Sequence, residues 1–325
     1  MPQSMRAALL ESINASPKIS SVPQPEVKIG EVLVELKSAA LNRRDLWIQQ
    51  GAYPHIELPA ILGSDASGAL LGTEKKEVLI CPSLNWGENE AHQGRTFSIL
   101  GMPSQGTLAE KISVPAENIV SKPIHLQHQE AAALPLAGLT AWRSLFTKGA
   151  LCAGERVLIT GVGGGVALFA LQFALAAGAE VFVTSSSAEK IQRAKNMGAQ
   201  DGVCYTNPSW RKQLPGSFDV IIDSAGGSDF GELIKLLGMG GRLCFFGGTR
   251  GAWPSILPQR LFFKQASILA STMGSPAEFK EMCEFVGRHK IVPVVDSVFP
   301  LHEITSALER LVHPDRFGKV VVSIA

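Results

Sequence analysis

Alternating apolar and polar positions mark the first part of the chain, and short apolar runs mark the second. In residues 31–37, Val32, Val34 and Leu36 fall on one side and charged residues on the other, which is the period of a half-buried β-strand. Proline and glycine recur between such segments over the first ~120 residues, as is typical of tight turns. The pattern predicts short strands joined by turns in a compact, partly open barrel.

The pattern changes near residues 129–135, where apolar runs begin to alternate with helix-forming segments. Strands that are apolar throughout and alternate with crossover helices indicate a parallel sheet covered on both faces. A mixed segment from Met273 leads to a last predicted strand at residues 319–324. The predicted strands of the parallel sheet are residues 156–160, 180–184, 218–223, 242–246 and 267–270, and its first two helices are residues 168–177 and 188–197.

The composition narrows the class of protein. The 325 residues are 46% hydrophobic and carry 30 basic against 29 acidic side chains, a net charge of +1. A balanced charge argues against binding to nucleic acid, which requires a concentrated basic surface. An apolar chain of this length can bury enough surface to fold. At ~150 residues per domain, the length predicts two domains.

Neither a membrane protein nor a secreted one is expected. The longest apolar stretch, residues 166–183, is interrupted by Gln172 and Glu180 and is predicted to be a buried helix followed by a strand. No secretory or transit segment is visible. The five cysteines are scattered without a Cys-x-x-Cys pair, which argues against disulfides and against a cysteine-based zinc site. We therefore expect a cytoplasmic protein with reduced thiols and no membrane partner.

A glycine cluster follows the first strand of the parallel sheet. Residues 160–167 read Thr-Gly-Val-Gly-Gly-Gly-Val-Ala and open the next helix. In this context the backbone can approach the pyrophosphate of a dinucleotide at the helix N-terminus. Two registers of the fingerprint fit, and we prefer the one that uses Gly164, Gly165 and Ala167 over the one that begins at Gly161. The alternative is a purely structural turn.

The second strand of the sheet ends in hydroxyls. An NAD-preferring site usually carries an acid there, but residues 184–187 are Thr-Ser-Ser-Ser, and Lys190 follows. Hydroxyls and a cation suit a 2′-phosphate, which a carboxylate would repel. The sequence therefore predicts NADPH as the cofactor. In the alternative, the serines only cap the next helix and Lys190 is a solvated helix residue.

Eight segments together carry a family pattern: residues 42–45, 51–54, 62–65, 132–142, the glycine loop, 176–179, 246–248 and 318–320. They extend over nearly every part of the sequence, and the combination is far more specific than any one motif. On these segments the chain as a whole resembles the zinc-free, quinone oxidoreductase-like branch of the medium-chain dehydrogenase/reductase superfamily.

The resemblance implies an α/β fold with two domains. A GroES-like β-barrel catalytic domain is expected from both chain ends, residues 1–121 and 273–325. A Rossmann domain with a doubly wound parallel sheet is expected between them, at residues 122–272. The resemblance also implies an active site in the cleft between the domains. It further implies a homodimer that pairs through the apolar edge strand at residues 267–270.

The residues that bind zinc in the zinc-dependent members are replaced here. In those alcohol dehydrogenases a cysteine stands at the position of Asn42, a Gly-His-Glu motif at residues 63–65, and a second cysteine at Leu136. Asn42 and Ser64 are poor zinc ligands, and Leu136 cannot ligate at all. The stretch that matches the structural zinc site, residues 83–106, contains no cysteine. We therefore expect no metal at either position.

Four residues in the matching segments are candidates for the chemistry. The resemblance implies that Asn42 holds the nicotinamide carboxamide or donates to the substrate oxygen. It implies that Arg44 is a donor or cation near the developing negative charge, and that Tyr53 is a donor or a stacking wall. Asp65 is expected to hold Arg43 or Arg44 in place. In the plainer alternatives, Asn42 is a turn residue, Arg44 pairs with a nearby aspartate and Tyr53 packs in its loop.

The resemblance also assigns contacts to the cofactor. Thr140 is expected on the nicotinamide side, Tyr205 beside the adenosine phosphate, and Lys319 at the pyrophosphate. A surface lysine is the alternative for Lys319. The full set of predicted cofactor contacts is Thr140, Gly164, Gly165, Val166, Ser185, Ser186, Lys190, Tyr205, Phe246, Gly247, Gly248 and Lys319.

The missing zinc ligands decide between reaction classes. Without zinc no Lewis acid polarises an alcohol oxygen, so the substrate is expected to be an acceptor that is already electrophilic. We expect an NADPH-dependent, zinc-independent oxidoreductase that transfers hydride to small-molecule quinones or α,β-unsaturated carbonyls. Two alternatives remain: a non-catalytic NADPH-binding redox sensor or structural protein, and, less favoured, a zinc-type alcohol dehydrogenase.

Overall fold

The computed structural model describes residues 3–72 and 76–324, and the chain divides into two compact units. Unit 1 consists of the residues up to 137 together with those from 275 onwards, and unit 2 consists of residues 138–274. The strands are β1 (Ser4–Leu10), β2 (Lys18–Pro23), β3 (Glu31–Ala40), β4 (Ala60–Ile61), β5 (Asp65–Leu70), β6 (Glu77–Ile80), β7 (Ser83–Leu84), β8 (Ser98–Ile99), β9 (Lys111–Pro115), β10 (Ile119–Ser121), β11 (Arg156–Ile159), β12 (Glu180–Ser185), β13 (Asp201–Cys204), β14 (Phe218–Asp223), β15 (Leu237–Phe245), β16 (Ser267–Ala270), β17 (Val295–Pro300) and β18 (Lys319–Ser323). The helices are α1 (Arg43–Gln49), α2 (His128–Ala133), α3 (Pro135–Trp142), α4 (Gly165–Ala176), α5 (Ala188–Asn196), α6 (Phe230–Leu236), α7 (Gln259–Phe262), α8 (Pro276–His289) and α9 (Ile304–Val312).

Unit 1 is built around the long strand β3. Its larger sheet has the order β10-β6-β5-β3-β18-β17, with β9 also paired to β3, and a second sheet has the order β2-β1-β4. β3 pairs antiparallel with β5, β9 and β18, so a strand from the C-terminal part of the chain joins strands from the N-terminal part. This arrangement confirms a GroES-like domain built from both chain ends.

The core of unit 1 follows the predicted alternation along β3. Val34 and Leu36 are buried, and Val32 packs against the same apolar cluster. Burying one face of a strand in this way fixes its register, because a slip by one residue would turn every apolar side chain outward. The register of β3 in turn positions the residues that follow it, which include Asn42.

The first boundary between the units lies later than the predicted 121/122. Helix α2 packs on β3, β5 and β18, and the Ser67 hydroxyl lies 2.8 Å from His128 Nδ1. Residues 122–137 therefore belong with unit 1, and the division falls between Ala137 and Gly138. The second division, between Gly274 and Ser275, lies close to the predicted 272/273.

Unit 2 holds a parallel sheet with the order β13-β12-β11-β14-β15-β16. The chain moves outward from β11 through α4 and α5 to β13, then returns to β14 and moves the other way through α6. Since β-α-β crossovers are right-handed, α4 and α5 cover one face and α6 the other. The order reverses between β11 and β14, where open α/β sheets bind ligands. The sheet confirms the Rossmann fold.

Most strands of this sheet occur where the apolar runs predict them, and β14 and β16 match to the residue. β15 begins earlier than predicted, at Leu237. The pattern gives no signal for β13, since Asp201 and Gly202 are poor strand formers. Within residues 3–72 and 76–324, no helix has the length and apolar character needed to span a lipid bilayer.

Candidate active site

The glycine loop joins β11 to α4 in unit 2. Gly161 and Gly163 have φ angles of +66° and +121°, a left-handed backbone that other residues rarely adopt. Gly164 is the N-cap of α4 and provides no side-chain cap, and Gly165 and Val166 form the first turn. A Cβ added at Gly164 would meet no atom of the described chain within 4 Å. The loop thus forms an open, positively polarised cradle of the kind that holds a pyrophosphate.

Both registers of the glycine fingerprint have support in this geometry. The positive φ angles at Gly161 and Gly163 are those required by the register that begins at Gly161. The preferred register requires an open approach at Gly164 and a small buried residue at position 167. The structure has both, since the cradle at Gly164 is open and Ala167 is 6% exposed.

Lys190 lies over the glycine loop. Its Cδ and Nζ are 2.9 and 3.4 Å from the position a Cβ would take at Gly163, so the lysine stem rests on this glycine. The Lys190 backbone N donates to Ser187 Oγ at 3.3 Å, which caps α5. The helix-capping alternative therefore holds for Ser187, while the Lys190 side chain extends over the loop.

Ser185 and Ser186 differ in exposure. Ser185 is buried, and its Oγ donates to Val162 O at 3.4 Å and accepts from Ser187 N at 3.3 Å. This hydroxyl shapes the end of β12 and is bonded inside the loop, and its contact with a cofactor stays a prediction. Ser186 is exposed beside it, so its hydroxyl stays a candidate.

Tyr205 follows β13 and is joined by an arginine that sequence reasoning missed. The Arg250 guanidinium carbon lies 5.8 Å from the centre of the Tyr205 ring. The Cys204 thiol lies 3.5 Å from Ser186 O and holds the end of β13 beside the end of β12. Arg250 thus adds a second cation, besides Lys190, to the predicted adenosine end of the site. In the sequence it follows a pair of glycines, and its charge is the only signal for it.

Asp223 ends β14 beside the glycine loop and was also missed. Thr160 Oγ1 donates to its Oδ1 at 2.6 Å, and Gly226 N donates to its Oδ2 at 2.8 Å. Burial raises the pKa of this carboxyl, and the two hydrogen bonds act in the opposite direction. Asp223 therefore ties the end of β11 to the turn after β14, where the strand order reverses. Its sequence signal is an acid that ends an apolar run shortly before two glycines.

The remaining predicted cofactor contacts of unit 2 follow β15 or lie on α3. β15 ends one residue before Phe246, so Phe246, Gly247 and Gly248 form the turn and not the strand. A Cβ at Gly247 would lie 2.6 Å from Ser224 O, so glycine is required at this approach. Thr140 is buried on α3.

In unit 1, Asn42 is the N-cap of α1. Its backbone N donates to Asp45 Oδ2 at 2.7 Å, and Gly63 N donates to Asp45 Oδ1 at 3.1 Å. Asp45 is fully buried, and burial raises its pKa, while the Arg44 charge and the Asn42 N–H act in the opposite direction. The turn-residue alternative for Asn42 is correct for its backbone, but its side chain has further partners.

The Asn42 side chain belongs to a buried polar cluster. Lys319 Nζ donates to Asn42 Oδ1 at 2.6 Å, to Leu41 O at 2.7 Å and to Asp65 Oδ2 at 2.9 Å. Asn42 Nδ2 donates to Asp65 Oδ2 at 2.9 Å, and Leu136 N donates to Asp65 Oδ1 at 2.7 Å. Lys319 is 4% exposed and Asp65 is 0% exposed. We call Asn42, Asp65 and Lys319 the buried triad.

The buried triad corrects two predictions. Lys319 does not extend toward a pyrophosphate, because β18 pairs with β3 and brings its ammonium against three acceptors of unit 1. Asp65 does not hold Arg43 or Arg44, because its carboxylate is bonded to Lys319, to the Asn42 amide and to a backbone N–H.

Arg44 is buried and fully bonded within unit 1. Its five N–H groups match the acceptors around it in number, so none is left for a substrate. This corrects its predicted role as a substrate donor, and its hydrogen bonds go to hydroxyl and carbonyl oxygens and not to the nearby aspartates. Tyr53 is half-buried and accepts from Arg44, and its own O–H stays a donor. The acceptors of Arg44 are Tyr53 Oη, Ser64 Oγ and the carbonyl oxygens of Ile99, Leu100 and Met102, at distances from 2.6 to 3.5 Å.

Two family profiles match the chain. One, described as alcohol dehydrogenase GroES-like domain, matches residues 28–124, and the other, described as zinc-binding dehydrogenase, matches residues 165–288. The zinc-type alcohol dehydrogenase-like protein YogA of Leptosphaeria maculans is 34% identical, over 94% of each chain. Acryloyl-coenzyme A reductase of Sulfurisphaera tokodaii is 27% identical, over 98% of this chain and 99% of its own. A crystal structure of an NAD-dependent alcohol dehydrogenase has a TM-score of 0.92 and 34% identity, over 99% of this chain and 100% of that one.

The chain belongs to the medium-chain dehydrogenase/reductase superfamily. It is therefore an oxidoreductase of a superfamily that uses nicotinamide cofactors. The residues of unit 2 fit such a cofactor, because the cradle at Gly164 is open and the first turn of α4 has no side-chain cap. Lys190, Tyr205 and Arg250 would lie at its adenosine end.

The catalytic zinc of zinc-dependent medium-chain dehydrogenases does not fit the residues present. Asn42 Oδ1 accepts from Lys319, and Ser64 Oγ accepts from Arg44. Leu136, at the third ligand position, has no donor atom in its side chain. The oxygens that would face a metal ion are thus bonded to two buried cations. In the part of the chain that the structure describes, no three histidine, cysteine, aspartate or glutamate side chains are grouped to hold a metal ion.

Proposed function

We propose that this protein is a zinc-independent, NADPH-dependent reductase that delivers hydride to quinones or to α,β-unsaturated carbonyl compounds. The observation that carries the proposal is the 2.6 Å hydrogen bond from Lys319 Nζ to Asn42 Oδ1. Asn42 stands at a position where the zinc enzymes have a metal ligand. In this chain its side-chain oxygen accepts from a lysine ammonium group. A conjugated acceptor is electrophilic enough to take hydride without a metal ion.

The bound cofactor supplies the hydride, and the residues of the chain bind and orient the cofactor and the substrate. The Asn42 amide and the Tyr53 hydroxyl are the donors for the substrate oxygen on which negative charge develops. Arg44 holds Tyr53 in place, with its guanidinium carbon 4.9 Å from the centre of the ring. The acryloyl-coenzyme A reductase supports this substrate class, since its name describes reduction of a conjugated acyl group.

The preference for NADPH rests on charge at the end of β12. Residues 184–187 carry hydroxyls in place of the acid of an NAD site, and Lys190 extends over the glycine loop. Arg250 adds a second cation beside Tyr205. Two cations near the end of β12, one of them held by Asp229 at 2.8 Å, favour the dinucleotide that has the extra phosphate.

We also propose that two copies pair through β16. This strand lies at the edge of the sheet of unit 2, and the exposed side chains of Phe262 and Phe263 precede it. An apolar sheet edge is usually paired or covered. Light scattering tests the homodimer, and a monomeric mass would contradict it. A cytoplasmic location stays a prediction from the sequence.

The test of the reductase is turnover with chelator-treated enzyme. We expect loss of reduced-nicotinamide absorbance with quinones or enones, faster with NADPH than with NADH, and no requirement for added zinc. Primary alcohols with NADP⁺ are the matched comparison. Zinc-dependent alcohol oxidation would contradict the proposal. Tight NADPH binding without turnover of any acceptor would favour the redox-sensor or structural alternative.

A further inference from the structure

Lys319 is a buried lysine whose charge is completely bonded. An ammonium group has three N–H donors and no acceptor, and all three reach an acceptor, on Leu41, Asn42 and Asp65, at 2.6 to 2.9 Å. A group so engaged cannot also donate to a substrate. Its effect on the chemistry therefore has to pass through one of its three partners.

Among these three partners, Asn42 is the one that still has an N–H group available to donate a hydrogen bond. Its Oδ1 faces an ammonium that only donates, and its Nδ2 faces the Asp65 carboxylate, which only accepts. A flipped amide would set its NH₂ against the ammonium and its oxygen against the carboxylate, so the charges on both sides fix one orientation. One Nδ2 hydrogen remains, on a residue that is 8% exposed.

Asp65 is itself anchored. Its Oδ1 accepts from Leu136 N at 2.7 Å, while its Oδ2 accepts from both Asn42 and Lys319. The carboxylate is fully buried and is held by the backbone on one side and by a cation on the other. The Asn42 amide is therefore locked by a rigid frame of opposite charges.

We propose that Lys319 and Asp65 are positioning residues that hold the Asn42 amide so that its remaining Nδ2 hydrogen points at the substrate carbonyl oxygen. Hydride adds to the β-carbon of the enone, and the electron pair of the C=C bond moves so that negative charge develops on the carbonyl oxygen. The oxidised nicotinamide is left, and a proton from water completes the saturated ketone. The Asn42 N–H stabilises the oxygen while it is charged. This inference rests on the proposed function, since it assigns the donor of that reaction.

The variants must separate positioning from folding. Lys319→Met alone leaves the Asp65 carboxylate buried without its cation and is expected to destabilise the chain. Lys319→Met/Asp65→Asn removes both charges and is expected to fold, with a Kd for NADPH close to wild type. Lys319→Arg keeps a cation with donors for both partners. The matched control is Lys37→Met/Glu35→Gln, which removes a partly exposed ion pair of the same unit.

In the neutral double variant we expect kcat with an enone to fall about 10- to 100-fold while KM changes little, because the amide is no longer oriented. Lys319→Arg should recover part of kcat, and the Lys37/Glu35 control should keep all of it. Asn42→Ala should lower kcat as much as the neutral double variant does. Adding Lys319→Met/Asp65→Asn to Asn42→Ala should then lower it no further, because the two residues act only through the amide.

Two results would overturn the inference while leaving the proposed function in place. One is a folded Lys319→Met/Asp65→Asn variant, checked by its melting temperature and its NADPH affinity, that keeps the wild-type kcat. The other is a full additional loss of kcat when that pair of substitutions is made in Asn42→Ala. Failure of the wild-type protein to reduce any quinone or enone would instead overturn the proposed function itself.

Discussion

Arg44 Nη1 lies 2.6 Å from Ser64 Oγ, and both residues are buried. A guanidinium can keep its charge in such a place because protein oxygens accept from all of its N–H groups. In the superfamily's zinc enzymes a histidine ligand takes the position of Ser64. Here the hydroxyl is an acceptor for a neighbouring arginine, which stabilises this part of unit 1.

Arg44→Met should be strongly destabilising. It removes the guanidinium that donates to the Ser64 hydroxyl and to the Leu100 carbonyl. We expect the free energy of unfolding to fall by about 3 kcal/mol or more. Chemical denaturation measures this. The matched control is Arg43→Met, since Arg43 is the exposed neighbour, and it should change the free energy by less than about 0.5 kcal/mol. Equal effects of the two substitutions would contradict a structural role for Arg44.

Gly164→Ala should separate cofactor binding from stability. Gly164 has a φ of −78° and no described atom within 4 Å of an added Cβ, so the fold accepts alanine. We expect the free energy of unfolding to stay the same or to rise by up to about 1 kcal/mol. The methyl group would project into the pyrophosphate cradle and raise the Kd for NADPH about tenfold or more.

The control for this substitution is Gly287→Ala in α8, which also has open space around an added Cβ. It should stabilise the helix without changing NADPH affinity. Titration of cofactor fluorescence measures the Kd of each variant. An unchanged Kd in Gly164→Ala would place the pyrophosphate elsewhere.

Cofactor preference should depend on Lys190 and Arg250. Lys190 lies over the glycine loop, and Arg250 lies beside Tyr205. Arg250 is held by Asp229, with Nη1 2.8 Å from Oδ2. Lys190→Ala and Arg250→Ala should each raise the Kd for NADPH about tenfold, as expected for one lost bond to a charged phosphate. The Kd for NADH should change less than about threefold.

Lys212→Ala removes an exposed lysine of the same unit and is the control for charge alone. It should leave both dissociation constants unchanged. Equal weakening of NADPH and NADH by Arg250→Ala would show that Arg250 contacts adenine or ribose and does not select the extra phosphate.

The sheet of unit 2 could be predicted closely because most of its strands read as continuous apolar runs, and β11, β12 and β14 are almost wholly buried. β14 and β16 lie where those runs are, whereas β13 is short and half polar and gives no such signal. Arg43 and Arg44 show the limit of local patterns. They are adjacent in the sequence, and it is the packing of α1 that buries one and exposes the other.

The buried triad could not be predicted because it depends on strand pairing between distant parts of the chain. The residues around Lys319 predict a strand, but nothing in them shows that β18 pairs with β3. That pairing brings Lys319 against Asn42 across a separation of 277 residues. The resemblance named Asn42, Asp65 and Lys319 as site residues, but it gave Lys319 a place at the pyrophosphate, whereas the pairing sets its ammonium against Asn42 and Asp65.

The ion pair of Asp296 and Arg310 should make the stability of the protein depend on acidic pH. Arg310 Nε and Nη2 bond the two carboxylate oxygens at 2.7 and 2.9 Å. Although burial raises it, hydrogen bonds from Arg310 and from Phe317 N lower the pKa of Asp296 to about 2. Because this pKa is depressed in the folded state, the stabilisation is present above the unfolded value near 4 and is lost as pH falls toward 2.

Asp296→Asn should therefore lower the free energy of unfolding by about 2 kcal/mol at pH 6. The difference from wild type should shrink steadily between pH 4 and pH 2, because wild type loses there what the variant already lacks. Urea denaturation at a series of pH values measures this difference. Glu281→Gln, which changes an exposed carboxylate on α8, should run parallel to wild type over the same range. A difference between Asp296→Asn and wild type that stays constant with pH would mean that packing, and not the ionised carboxylate, accounts for the stabilisation.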